Sequence, residues 1–469
     1  MNIVRTAACG LTGIFCAGFL QSCGGGGYNS GSAMMMMPTA ITISINPTSV
    51  IAGRAATLMW SATSGTSCMA SGAWSGAQSA SGTLTVTPTS AGSETFTLTC
   101  SSGVYSMNSA SAMLTVTAAS TATVTELVSN VAGGTATHVD TNLVNPWGVS
   151  IPAAPSTAPA WVSNNGSQTS TLYDGNGVPQ PVATPLIVNL AAGAGGAAFD
   201  PTGIVANSSS TDFVVSAAGK SGSAAFIFDG SGGMLAGWSP SVDVTHAVTM
   251  YTDAGGAVYK GLAIAANNGA LFLYATDFHN NKIDVFNTSF VKQTTSSTAF
   301  TFVDPAIPAG YAPFGIQAVP GSGVAGATQI FVTYAQQVAP ANVTNANGAG
   351  LGFVDVFDTN GKLIKQLIAG GALNAPWGIA LAPADLGTFS NALLVGNFGD
   401  GKINAYDAAA GTPLGMLANT NSGAAAAPGL LGIAFGNDAD SQPHNALFFA
   451  AGPNGGANGT YGRIDVTGP

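Results

Sequence analysis

The sequence predicts an all-β fold built from one repeated sheet, and three observations carry that prediction. Runs rich in Val, Thr, Ile and Phe are broken about every 8–12 residues by Gly, Asn or Asp, which is the punctuation of strands and hairpins. A turn signal feeding an apolar strand recurs as Asn145-Pro146-Trp147-Gly148-Val149, Pro201-Thr202-Gly203-Ile204, Tyr259-Lys260-Gly261-Leu262, Ala312-Pro313-Phe314-Gly315-Ile316, Ala375-Pro376-Trp377-Gly378-Ile379 and Gly429-Leu430-Leu431-Gly432-Ile433. The glycines of these six signals are spaced by 55, 58, 54, 63 and 54 residues, a period that points to propeller blades. Each repeat also keeps one internal order. A second apolar strand follows the first, as in Leu271-Phe272-Leu273-Tyr274-Ala275. A third ends in an aromatic plus Asp or Asn: Leu172-Tyr173-Asp174, Phe226-Ile227-Phe228-Asp229, Asp284-Val285-Phe286-Asn287, Asp355-Val356-Phe357-Asp358 and Asn404-Ala405-Tyr406-Asp407. A Gly turn then opens a fourth strand, visible at 362–367.

The last repeat stops after its third strand, Arg463-Ile464-Asp465-Val466, while an unpaired strand, 123–128, precedes the first repeat. The expectation is a six-bladed β-propeller over 119–469 whose last blade borrows 123–128, so that no sheet edge stays open. A glycine at the entry of each innermost strand suits a place where backbones crowd and a Cβ has no room.

Composition limits what the chain does. Charged residues make up 6% and hydrophobic residues 46%, so the chain is neither a disordered nor an ordinary highly charged domain. A net charge of −10 with ten Lys plus Arg excludes a basic nucleic-acid face and a polybasic membrane patch.

Residues 1–23 read as an export signal: Arg5 is the positive region and Thr6 to Leu20 an apolar stretch too short for a normal span. It ends in Leu20-Gln21-Ser22-Cys23, which resembles a bacterial lipobox and implies a lipid on Cys23, an outer-membrane or cell-surface protein, and a flexible tether over 24–37. Cys9 and Cys16 leave with the signal, so Cys68 and Cys100 remain as an even pair, expected to form a disulfide after export.

Residues 38–118 carry short alternating strands of about the length of a β-sandwich. The stretches Asn46-Pro47-Thr48-Ser49-Val50, Thr57-Leu58-Met59-Trp60-Ser61 and Ser67-Cys68-Met69-Ala70-Ser71-Gly72 resemble bacterial immunoglobulin-like modules. Trp60 precedes the first cysteine, unlike the antibody pattern, so the Trp–disulfide packing of antibodies does not follow. The region from 123 onward resembles six-bladed propellers of the NHL type. Tyr274-Ala275-Thr276-Asp277 followed by Asn281-Lys282-Ile283-Asp284-Val285-Phe286 is its nearest copy of their repeat. It is also similar to secreted bacterial propellers without assigned activity, through phrases such as 142–148, 373–378 and 393–401.

Chemistry is sparse. The column after each second strand reads Asn164, Ala217, Asp277, Ala335, Asn397 and Gly452. Lactonase-like propellers, which this scaffold resembles, hold an axial calcium at such a mouth, and Asp277, Asn164 and Asn397 are the candidate ligands here. One carboxylate and two amides fall short of the oxygen set calcium takes. Trp147 and Trp377 are candidate stacking platforms or wedges between blades. His138-Val139-Asp140 and Asp277-Phe278-His279 are the His–acid neighbours, and His138, His246, His279 and His444 show no zinc spacing. No Gly-x-Ser-x-Gly elbow occurs, and Gly219-Lys220-Ser221 lacks the leading Gly and the helix of a phosphate loop. The expected function is a lipid-anchored envelope module that binds a protein or glycan without a catalytic residue or required cofactor. The alternative is a calcium-dependent, lactonase-like hydrolase, and a purely structural envelope role is the third possibility.

Overall fold

The computed structural model describes residues 40–468 apart from 65, 102–106, 119, 194–195, 297–298, 323–325 and 418–426. The signal, Cys23 and the tether therefore lie outside the described residues. Those described are all-β, with short 3-10 turns such as Asn165–Ser167 and no α-helix among them.

Contacts divide the chain into two units, one comprising 40–48, 55–86 and 93–114 of the described residues, the other 49–54, 87–92 and everything from Thr115. In the N-terminal region Ile41–Asn46, Ala56–Ala62 and Ser81–Val86 form a three-stranded sheet. A five-stranded sheet runs in the order Ser49–Ile51, Met107–Thr117, Gly92–Ser101, Ser67–Gly72, Gly76–Gln78. Alternation buries one side of each strand: Leu58 and Trp60 from the first sheet, Phe96, Leu98 and Cys100 from the second. Cys68 and Cys100 stand directly opposite on paired strands, Cα atoms 4.1 Å apart, and are disulfide-bonded. Trp60 packs edge-on against Trp74, which in turn meets Phe96, so the aromatic core is Trp–Trp–Phe.

The second unit is propeller-like. Six strands, Pro146–Ser150, Pro201–Ala206, Tyr259–Asn267, Tyr311–Val319, Pro376–Leu381 and Leu430–Phe435, each lie beside the next, and the last lies beside the first. Each is the terminal strand of its antiparallel group, so one of its edges is unpaired and faces the common axis. Outward from the sixth come Ala446–Ala451, Thr460–Thr467 and then Thr121–Ser129, which pairs antiparallel with Thr460–Thr467 from Thr467↔Thr121 to Thr460↔Ser129. An apolar cluster lies between each strand group and the next, including one that joins Phe448 and Tyr461 of the sixth to Val162 and Tyr173 of the first.

The repeated glycines have a direct steric cause. A Cβ on Gly148 would meet Thr202 O at 2.7 Å, on Gly203 the Leu262 N at 2.4 Å, and on Gly261 the Phe314 O at 3.0 Å. On Gly315 it would meet Trp377 O at 2.0 Å, on Gly378 Leu431 O at 2.4 Å, and on Gly432 Trp147 O at 2.4 Å. Each glycine thus admits the backbone of the following inner strand, around a closed cycle.

One strand assignment needs correction. The sequence places 226–229 third in its repeat, but Phe226–Gly230 pairs directly with the inner strand Pro201–Ala206 and so is second. Val214–Ala217 turns back at once through Ala218 and Gly219, both at positive φ (49° and 79°), and pairs with Lys220–Ser223 as a separate hairpin. A two-residue turn of that hand is the tight hairpin connection, and it occupies the stretch where the second strand was expected. The Gly219-Lys220-Ser221 triplet is the tip of this hairpin.

Candidate functional site

The residue before each ring glycine stands at one end of the axis: Trp147, Thr202, Lys260, Phe314, Trp377 and Leu431. Trp147 meets Phe314 and Trp377 edge-on at 6.1 and 6.0 Å between ring centroids. Lys260 Nζ lies 4.9 Å from the Trp147 ring centre, and Trp377 Nε1 donates to Lys260 O at 2.8 Å. Phe278, Ala312, Ala335, Ala375 and Leu431 complete the cluster, leaving Trp147 only 8% exposed. Edge-to-face rings and a desolvated cation over an aromatic face hold such a group rigidly. Both tryptophans belong to this plug: Trp147 is buried in it and Trp377 is half-buried at its edge.

Of the column residues, Asn164, Asp277 and Asn397 lie at this same end, fully buried and hydrogen-bonded locally, with only the Asn164 Oδ1 left without a partner. Asn164 Nδ2 donates to Thr169 Oγ1 and Thr171 Oγ1 at 3.2 and 2.9 Å. Asp277 accepts from Val258 N at 3.1 Å and from Asn280 Nδ2 at 2.7 Å, with Lys282 Nζ at 3.4 Å. Asn397 Oδ1 accepts from Asn374 N, while its Nδ2 donates to Ala372 O and Asp400 Oδ1 at 2.8 and 3.1 Å. Among the described residues no group of three or more His, Cys, Asp or Glu side chains is arranged to hold a metal ion.

Sequence reading missed Asp229 and Lys260. With Phe226–Gly230 as second strand, Asp229 reaches the axial end that Ala217 was expected to occupy. Its Oδ1 accepts from Thr202 Oγ1 at 2.8 Å and Gly203 N at 2.6 Å, while Oδ2 has no partner. Burial pushes this carboxyl up to about 7. Lys260 donates to Ser231 Oγ at 3.1 Å, and burial pulls its amine down to about 8 against the pull of Asp200 and Asp229.

The histidines do not assemble a site. His279 Nδ1 contacts Ala341 O at 3.0 Å and makes no bond to Asp277; Asp140, beside His138, accepts instead from Tyr173 at 2.8 Å. His444 sits in the open between Asp438 and Asp385, which raise its pKa through hydrogen bonds.

The other end of the axis is open. A cavity of about 380 Å³ is lined by the far halves of the six inner strands and the loops that leave them, including Ile151, Ile264, Gln317, Leu381 and Phe435. Among the described residues no titratable side chain contributes to its wall; Ser150 and Gln317 are its polar side chains. A further space of about 30 Å³ continues inward past the ring glycines to Trp377. The funnel is therefore blind, floored by the plug, with mostly aliphatic side chains, Phe435 and unpaired strand edges as its wall.

No family model matches the chain. It is 30% identical over 342 residues to the uncharacterized protein R648 of Acanthamoeba polyphaga mimivirus, covering 70% of this chain and 76% of that one. It is also 30% identical over 281 residues to uncharacterized protein L690 of the same virus, covering 58% and 68%. A solved glucose dehydrogenase superposes with a TM-score of 0.41 at 12% identity, covering 73% of this chain and 98% of that chain. The two relatives are viral, which corrects the expectation of a bacterial family.

Proposed function

The chain belongs to the family of mimivirus protein R648, and from that premise we propose that it is a non-catalytic binding module whose ligand is a protein segment entering the axial funnel. The domain is read as a six-bladed propeller sealed by Thr121–Ser129 and carried on an immunoglobulin-like sandwich. Leu20-Gln21-Ser22-Cys23 supports export and a lipid on Cys23, which would display the module at the outer membrane or cell surface.

One observation carries this reading: a blind funnel of about 380 Å³ with no titratable side chain in its wall among the described residues. The volume falls in the range of ordinary ligand sites, but the wall offers no acid, base or nucleophile. Its unpaired strand edges supply main-chain N–H and C=O groups, and its aliphatic side chains supply apolar contact. A peptide satisfies both, whereas a sugar would need more polar side chains and aromatic faces than Ser150, Gln317 and Phe435 provide. The calcium-hydrolase alternative gains no support from Asp277, whose oxygens already hold a turn and face Lys282.

The test is panning of a random peptide library on the immobilised full-length protein and on Gln317→Trp, which fills the funnel from an exposed position. Enrichment of an apolar consensus by the native protein, lost with Gln317→Trp, is expected. Equal enrichment by both, or ester or lactone turnover abolished by Asp277→Ala, would overturn the reading.

A further inference from the structure

The third strands of two neighbouring groups carry an acid at one register position: Asp284 opposite Ala275 and Asp355 opposite Val332. The first of these has cations. Asp284 lies 2.7 Å from Lys282 Nζ and 2.6 Å from Lys292 Nζ, and accepts from Tyr259 OH at 2.9 Å. At Asp355 the place of Lys282 is taken by Phe353, and the described residues supply no ion pair.

Asp355 is nevertheless fully buried, and neither of its carboxyl oxygens receives a hydrogen bond. Tyr334, 3% exposed, brings a hydroxyl into the same cluster that also has no partner. Asp304 adds a second carboxyl. Gln366, the cross-strand partner of Asp355, donates its Nε2 to Asp304 Oδ2 at 3.0 Å. Burial and repulsion from Asp304 push Asp355 up to about 8 against the pull of the Tyr334 hydroxyl, which is near enough to act on the carboxyl but stands outside ordinary hydrogen-bond geometry; burial beside both acids raises the Tyr334 phenol well above its ordinary value. Burying an acid without a partner is among the more expensive choices a fold makes, and here a second acid stands beside it.

Three orphaned oxygens from two side chains, with a neighbouring carboxyl, describe a cradle for a cation. We propose that Asp355, Asp304 and Tyr334 form a binding site for a calcium-class divalent ion between the third and fourth strand groups. The donors are all oxygens, which excludes the nitrogen and sulfur sets that select zinc. Two carboxylates balance two positive charges. An irregular set completed by water and main-chain oxygen suits calcium, which takes six to eight ligands at variable angles, better than magnesium, which demands a tight octahedron. The ion does for the fourth group what Lys292 does for the third. This site shares no residue with the axial column of Asn164, Asp277 and Asn397, and it serves stability, with no part in a reaction.

The test uses the full-length protein stripped with chelator. Calorimetric titration with calcium chloride is expected to show one saturable site, weaker for magnesium. At a hundredfold excess over Kd, melting should rise by about 3 °C or more. Asp355→Asn should abolish both effects, Asp304→Asn should weaken affinity at least about tenfold, and Asp277→Asn should leave both intact. Chelated Asp355→Asn should melt at or above the chelated native protein, because the uncompensated acid is gone. No heat and no shift up to about 10 mM calcium, beyond the weak end of protein sites, would overturn the proposal. So would a calcium response that survives Asp355→Asn, or one that disappears with Asp277→Asn.

Discussion

Replacing Asp229 by Asn tests whether the axis holds an uncompensated acid. Asp229 is fully buried, and burial raises its pKa from 3.8 to about 7 despite hydrogen bonds from Thr202 and Gly203. The sign follows from proton linkage. Below about pH 4 the carboxyl is protonated in both folded and unfolded chains and contributes nothing. Between about pH 4 and 7 the unfolded chain ionises and the folded one does not, so stability falls as pH rises. Above pH 7 the loss is complete, and at 1.36 kcal/mol per pH decade it amounts to about 4 kcal/mol. Asn keeps the acceptor for Thr202 and Gly203, and it does not titrate. Lys260 loses an attractive neighbour in the variant, which subtracts from the gain at pH 8 but does not reverse it, since Ser231 and the Trp147 face still hold the amine. Urea unfolding followed by tryptophan fluorescence, at pH 4 and pH 8, reads the difference. Asp229→Asn should match the native protein at pH 4 and exceed it by roughly 2–4 kcal/mol at pH 8. A variant less stable than the native protein at pH 8, or a difference independent of pH, refutes the assignment of a raised carboxyl at the axis.

The ring glycines give a graded series: Gly315→Ala, whose Cβ would lie 2.0 Å from Trp377 O, should cost about 3 kcal/mol or more, and Gly261→Ala, with its nearest atom at 3.0 Å, about 1, both read by denaturant melts. Lys292→Met removes the closer partner of Asp284 and the partner of Asp253, 3.1 Å away, and should cost about 2 kcal/mol because Lys282 remains at 2.7 Å. Cys68→Ala with Cys100→Ala opens a crosslink between residues 32 apart and should destabilise the N-terminal sheets by about 3–4 kcal/mol, measured as a separate melting transition and mimicked by reduction of the native protein.

The period of the inner strands was legible because its cause is a steric one: only glycine lets the following strand's backbone approach, so the residue type marks the position. The pairing of Thr121–Ser129 with Thr460–Thr467 was legible from a missing strand at one end and a spare one at the other. The second strand of the second group was not. Val214–Ala217 has the apolar look of a strand, but four residues followed by a positive-φ pair make a hairpin, and only the register Ile204↔Phe228 shows which segment lies on the inner strand. Asp229 was hidden with it. The Asp277-Phe278-His279 neighbourhood misled for a related reason, since residues two apart at a strand end follow the turn and not the pleat, and His279 reaches Ala341.

The two ends of the axis differ in a way that residue types alone do not reveal. Trp147, Phe314 and Trp377 are conspicuous in the sequence, and conspicuous aromatics near an expected mouth suggest a platform. In the ring they converge: three large side chains from the first, fourth and fifth inner strands share one axis, with Thr202, Lys260 and Leu431 on the other three. Convergence turns ligand-like residues into packing, because each ring finds its contact in another. It also fixes where a ligand would have to go. The inner strands widen past their glycines into positions held by Ile, Ala, Val and Gln, too small to close the channel, and the strand edges there have no partner. A plug at the glycine end and small residues beyond it are two consequences of one pattern, and together they leave the open cavity at the end opposite the one that the tryptophans occupy.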